Sequence, residues 1–138
     1  MLRYDSLQET IDSGSIPTEL SSILLVESDP ELRDARRLLL GFLRHPVLAV
    51  GAYMDVCQLP TDSNCCLVAV DINPSEHEAL RIAVHVRRTW PGAKILLLGS
   101  PSQDFDDPLY DDSVSPSCNP AGVIETAKRL LTTGHGLD

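Results

Sequence analysis

Two carboxylates close apolar runs in this sequence. Glu27 follows Ser22–Val26 (SILLV), and Asp71 sits at the C-terminal end of Cys65–Ile72 (CCLVAVDI). Short continuous apolar runs of this kind read as strands buried on both faces. Where two such strands lie side by side in a parallel sheet, their terminal acids face one crevice. Few other residues have spacing that suggests chemistry. The cysteines (Cys57, Cys65, Cys66 and Cys118) form no C-x-x-C pair, and the histidines do not supply the missing half of a zinc site. Cys65 and Cys66 open an apolar run and read as small core residues. His77, in the loop after Asp71, reads as a solvated side chain. Five aspartates fall within 104–112, yet their spacing matches no EF-hand loop, so the stretch reads as a solvated acidic loop. No Gly-rich phosphate loop, catalytic triad or nucleotide fingerprint is present.

The elements that must position these acids follow in regular order. Ser28 with Glu31 reads as a capping box, with Pro30 in the first turn and Leu32, Ala35, Leu39 and Phe42 as the inward stripe of a helix that Pro46 stops. A second strand is expected at 47–52 and a short helix at 54–59. The Asp71 strand follows. Ser75 with Glu78 reads as another capping box, ahead of a helix with Ala79, Ile82, Ala83, Val86 and Trp90 on its apolar face. Lys94–Leu98 (KILLL) gives a fourth strand, 113–117 supplies a fifth, and Asn119 caps a last helix that ends at Gly134. Strands alternating with helices require right-handed crossovers and a covered parallel sheet. The expected architecture is a flavodoxin-like three-layer α/β sandwich, five parallel strands in the order 2-1-3-4-5. Residues 1–20 read as a mobile extension, 21–134 as the domain and 135–138 as a tail.

Composition narrows the function. Eleven Lys plus Arg against twenty Asp plus Glu give a net charge of −9, which opposes binding to nucleic acid. Arg33, Arg36, Arg37, Arg44, Arg87 and Arg88 read as solvated helix faces. No run reaches the roughly 20 apolar residues of a membrane span, and the N-terminus has no secretory pattern. The cytoplasm is the expected compartment.

Read together, four strings resemble the receiver domains of two-component response regulators across 21–133. ILLVESDPELRD resembles that family's first strand and acidic turn, and CLVAVD its third strand with the phosphoacceptor aspartate. RRTWPGAKILLLGS is similar to the third helix and fourth strand, and DDSVSPSCNP to the last strand and its Pro-turn. The resemblance implies that Asp71 stands at the phosphoacceptor position. Glu27 stands at the first of two acids that, with Asp71, would hold Mg²⁺ for phosphoryl transfer.

Several positions depart from that pattern. Ser28 stands where the second acid belongs, Gly99 where a hydroxyl residue belongs with Ser100 one step later, and Ser115 where the Lys belongs. The family's aromatic residue that reports phosphorylation to partners falls here on Asp112 or Ser113, neither of which is aromatic. Pro101 and Pro108 interrupt the segment where the family's fourth helix runs, so that helix is expected to be short or absent. Each lost charge-assisted contact is worth about 1.5–3 kcal/mol. The reading is therefore a stand-alone, atypical receiver: not an enzyme, holding Mg²⁺ at most weakly, and signalling through proteins. Its partners would be a histidine kinase, a downstream signalling protein or a second copy of the chain. The alternatives are a working receiver phosphorylated on Asp71 with Mg²⁺, and a flavodoxin-like domain with an unrelated ligand.

Overall fold

The computed structural model describes residues 21–73, 75–99, 109–115 and 120–133. They form β1 (Ser22–Val26), α1 (Pro30–Leu40), a 3₁₀ turn (Gly41–Leu43), β2 (Val47–Val50), α2 (Tyr53–Cys57), β3 (Cys65–Asp71), α3 (Glu76–Thr89), β4 (Lys94–Leu98), β5 (Asp112–Val114) and α4 (Pro120–Thr133). The five strands are all parallel, in the order β2-β1-β3-β4-β5. This is the flavodoxin-like sheet that the alternating apolar runs and helices demand. Four α-helices occur among the described residues, and α2 is short. The expectations for residues 1–20, the 100–108 segment, the Asn119 cap and the tail lie outside the described residues.

The central strands β1, β3 and β4 are almost wholly buried, and they divide the core into two layers. Leu24, Val26, Val68, Val70, Ile95 and Leu97 face α3 with Ile82, Ala83 and Val86. Ile23, Leu25, Leu67, Ala69, Leu96 and Leu98 face Leu40 of α1 and Val123, Ala127 and Leu130 of α4. Alternation along each strand sends neighbours to opposite layers. Trp90 packs at the far end of α3, as expected of a core residue, and meets His85 edge-on.

Helix α1 departs from the expected capping and facing. Its N-cap is Asp29, not Ser28: Asp29 Oδ1 accepts from the backbone N–H of Glu31 at 2.9 Å and of Leu32 at 3.4 Å. The helix ends at Leu40, ahead of Pro46, because the chain tightens into the 3₁₀ turn and Arg44 turns left-handed at φ 65°. The inward stripe is not the one expected. Leu32 and Phe42 are exposed, whereas Leu40 is buried and Arg33 and Arg36 are partly covered. On α3, Ser75 Oγ accepts from Glu78 N–H as expected. The Glu78 carboxylate turns away from its own cap and accepts from Tyr53 N–H at 3.1 Å, tying α3 to α2.

The acidic loop is also tied down at its end. Asp111 pairs with Arg87 at 2.9 Å and accepts from Ile95 N–H, and Asp112 pairs with Arg129. Neither aspartate is simply solvated, and Arg87 is not a free helix-face cation. Strand β5 is three residues long and starts at Asp112, one position earlier than expected.

Candidate functional site

The site lies at the C-terminal ends of β1 and β3, where the chain switches from one half of the sheet to the other. Val26 pairs in register with both Val50 and Val70, so Glu27 and Asp71 emerge from adjacent strands. Glu27 is 2% exposed and is the buried charged residue of the described core. Such a group must be neutralised or paired. Its Oε2 accepts from Asp29 N–H at 3.0 Å, which the tight β1–α1 turn supplies.

The partner of Oε1 is a guanidinium. Arg36, one helical turn beyond Arg33 on α1, directs Nη1 to Glu27 Oε1 and to Asp71 Oδ2, the latter at 2.7 Å. Arg33, one turn earlier, donates from Nη1 to the Glu27 carbonyl at 3.0 Å. Gly51, just after β2, leaves room for that reach, since a Cβ there would lie 2.9 Å from Arg33 Nη1. Asp71 Oδ1 accepts from Asn73 N–H at 2.8 Å. Every oxygen of the two carboxylates therefore has an N–H donor, and one internal cation sits between them.

Proton occupancy follows from this geometry. Burial, reinforced by the Asp71 carboxylate, pushes Glu27 from an ordinary 4.5 up to about 7, against the opposing pull of Asp29 N–H and Arg36. Burial also acts to raise Asp71, but hydrogen bonds from Glu27, Asn73 N–H and Arg36 outweigh it and hold the carboxyl below its usual range. Below about pH 7, where Glu27 holds its proton while Asp71 is ionised and Arg36 positive, the cluster sums to zero. It is electrically closed by the protein's own side chains.

The remaining candidates are placed as follows. Ser28 is exposed at the mouth of a cavity of about 220 Å³ beside Asp71, which Asn73, Ser75 and Glu78 also line. Gly99 adopts φ +129°, and a Cβ there would lie 2.7 Å from Ile72 Cγ1. Its N–H bonds Val114 O at 2.7 Å. Ile72 thus fills the space that a side chain at 99 would need, and the missing hydroxyl has a packing cause. Ser115 follows β5 directly. Neither Gly99 nor Ser115 lines the cavity beside Asp71. Ser100 lies outside the described residues.

The donor set does not suit a divalent ion. Mg²⁺ requires oxygen ligands free to turn toward it, and here a guanidinium already bridges Glu27 and Asp71, the two acids at the ends of β1 and β3. No group of three or more His, Cys, Asp or Glu able to hold a metal occurs among the described residues. Arg36 is the residue that the sequence reading missed. Its signal was available: Arg33, Arg36, Leu40 and Leu43 are spaced as one helix face, and that face begins beside Glu27.

Among the described residues, Cys66 and His45 form another close pair of reactive types. Cys66 Sγ lies 3.4 Å from Ser22 O and 3.7 Å from His45 Nδ1, while Nδ1 lies 2.8 Å from Ser21 O. A ring nitrogen donating to a carbonyl cannot also take the thiol proton, so this is not a nucleophile–base pair. Burial pushes the neighbouring Cys65 thiol up to about 11, which makes it inert.

A doubly wound parallel sheet with an acidic crevice at its switch point places the molecule among flavodoxin-like domains. More narrowly, the chain has the receiver fold of response regulators. It is similar to the receiver domain protein from Methanospirillum hungatei JF-1 (TM-score 0.71, 18% identity, covering 83% of this chain and 96% of that one). It is similar also to the signal receiver domain of an HD domain-containing protein from Pseudomonas fluorescens Pf-5 (TM-score 0.71, 15% identity, 83% and 97% covered). The response regulator TrrA from Thermotoga maritima, whose structure is a complex with Mg²⁺ and beryllium fluoride, gives a TM-score of 0.67 at 25% identity, with 80% and 98% covered. No protein-family model matches the sequence, and no curated protein matches it. No helix among the described residues is long and apolar enough to cross a membrane.

Proposed function

We propose that this chain is an atypical receiver that signals through protein–protein contacts without efficient phosphorylation of Asp71. The observation that carries the reading is the Arg36 bridge between Glu27 and Asp71. An acceptor aspartate must offer an unencumbered oxygen, and the incoming phosphoryl group needs concentrated positive charge. Here Asp71 Oδ2 is bound to Arg36 and Oδ1 to a backbone N–H. One monovalent cation, already balanced by Asp71, replaces a divalent ion and a lysine. Ser28, Gly99 and Ser115 supply neither the second acid, the hydroxyl at the strand end nor the lysine.

On this reading the chain is not an enzyme and needs no metal. It works in the cytoplasm, and its state is set by the protein it docks to, a histidine kinase or a downstream signalling protein. Incubation with acetyl phosphate and Mg²⁺, followed by intact-mass measurement, tests the reading. The chain is expected to stay unmodified. A phosphoryl adduct that Asp71→Asn abolishes would contradict it.

A further inference from the structure

We propose that the cavity at the opposite end of the sheet binds a small amphiphilic anion, an oxyanion headgroup carried on an apolar body. The cavity is a half-open hollow of about 630 Å³ between the 3₁₀ turn, the start of β4 and α4, with Phe42, Arg44 and Lys128 exposed at its rim. That volume is within the range of small-molecule sites. Leu43, Ile124 and Leu131 form apolar walls, and Arg44, Lys94 and Lys128 bring three formal positive charges, with no carboxylate among the lining residues.

This charge distribution runs against the rest of the molecule, whose net charge is −9. Among the other described cations, Arg36, Arg37, Arg87 and Arg129 pair with acids, Arg33 is held by the Glu27 carbonyl and Arg81 lies over the Tyr53 ring. Arg44, Lys94 and Lys128 have no ion-pair partner among the described residues, and like charges around one concavity repel until an anion enters.

Backbone conformation points the same way. Arg44 is the only non-glycine residue at positive φ among those described, at φ 65° and ψ 32°. Glycine or asparagine normally holds such a position after a helical turn. Keeping a long cation there costs strain, which is typical of positions retained for a ligand. The site is distinct from the acidic crevice: it lies a strand's length away and shares no residue with it.

Titration of the full chain with decanoate below its micellar concentration, read by calorimetry, tests the site, with decanol as the neutral control. Saturable decanoate binding is expected. Lys128→Glu, a change at an exposed position, should weaken it about tenfold or more, the effect of losing one charge-assisted contact. Arg44→Gly separates a ligand role from a structural one: it should raise the melting temperature while also weakening decanoate about tenfold. Cys66 lines the same cavity, so decanoate should slow its alkylation, read by peptide mass. Absence of saturable binding would overturn the proposal, as would equal affinity for decanol. Residues 1–20 carry Asp5, Glu9, Asp12 and Glu19 and enter the domain at Ser21, which lines the cavity. Binding seen only after those four are replaced by Asn, Gln, Asn and Gln would assign the cavity to the chain's own segment and overturn the proposal equally.

Discussion

At Arg36 one guanidinium nitrogen faces two carboxylates, and removing it leaves both buried without a cation. Breaking a buried ion pair from one side costs about 3–5 kcal/mol. Arg36→Ala is therefore expected to lower stability in urea unfolding at pH 8 by about 3 kcal/mol, and a loss below about 1 kcal/mol would refute the bridge. Glu27 gives a second test, with a definite sign. Its folded value is near 7 against an ordinary 4.5. Between those values the folded chain holds a proton that the unfolded chain releases, so this group's contribution to stability falls as pH rises. The span corresponds to about 3 kcal/mol. Asp71, held below its usual range, contributes the opposite sign at lower pH, where stability is lost as that carboxylate protonates. Unfolding free energies measured from pH 5 to pH 8 should decline in the native chain and stay level in Glu27→Gln; equal declines would rule out Glu27 as the source. At Gly99 the account forbids an easy repair. Gly99→Thr should cost about 1–3 kcal/mol through φ strain and overlap with Ile72, and Ile72→Ala should recover only the overlap part, as a double-mutant cycle would show. No loss in Gly99→Thr would contradict the packing described.

Helix α1 shows what pattern reading reaches and what it misses. The strands were legible because continuous apolar runs bounded by caps leave little choice, and Glu27 and Asp71 could be placed at one crevice for the same reason. The helix itself was legible, but its facing was not. Two stripes compete along 32–43: one apolar, through Leu32, Ala35, Leu39 and Phe42, and one that mixes Arg33 and Arg36 with Leu40 and Leu43. Hydrophobicity alone favours the first. The second prevails because a buried acid at the helix entrance must be satisfied, and only a residue on the sheet-facing side can reach it. Leu38 and Phe42 are left 67% and 77% exposed. Accordingly, Leu38→Glu should change stability by less than about 0.5 kcal/mol, whereas Leu40→Ala should cost about 2–5 kcal/mol. Chemical denaturation of the two variants checks the facing, and the reverse ranking would show it to be wrong.

For the molecule as a whole, topology followed from the alternation of runs and helices, and the observed strand order matches it. Long-range side-chain pairing followed only in part: the helix-face spacing sets Arg36 beside Glu27, but nothing local marks it as also the partner of Asp71, 35 positions away. The same holds for Arg87 with Asp111 and for Ile72 against Gly99. The fold is that of a receiver, and its crevice is filled from within. If that is how the domain works, Mg²⁺ has no place to bind until the bridge is removed. The most direct measurement is a calorimetric titration of Mg²⁺ into the native chain and into Arg36→Ala. The native chain should give no saturable heat at millimolar Mg²⁺, and Arg36→Ala should bind the ion in a manner that Asp71→Asn abolishes. Saturable Mg²⁺ binding to the native chain, lost in Asp71→Asn, would contradict the account.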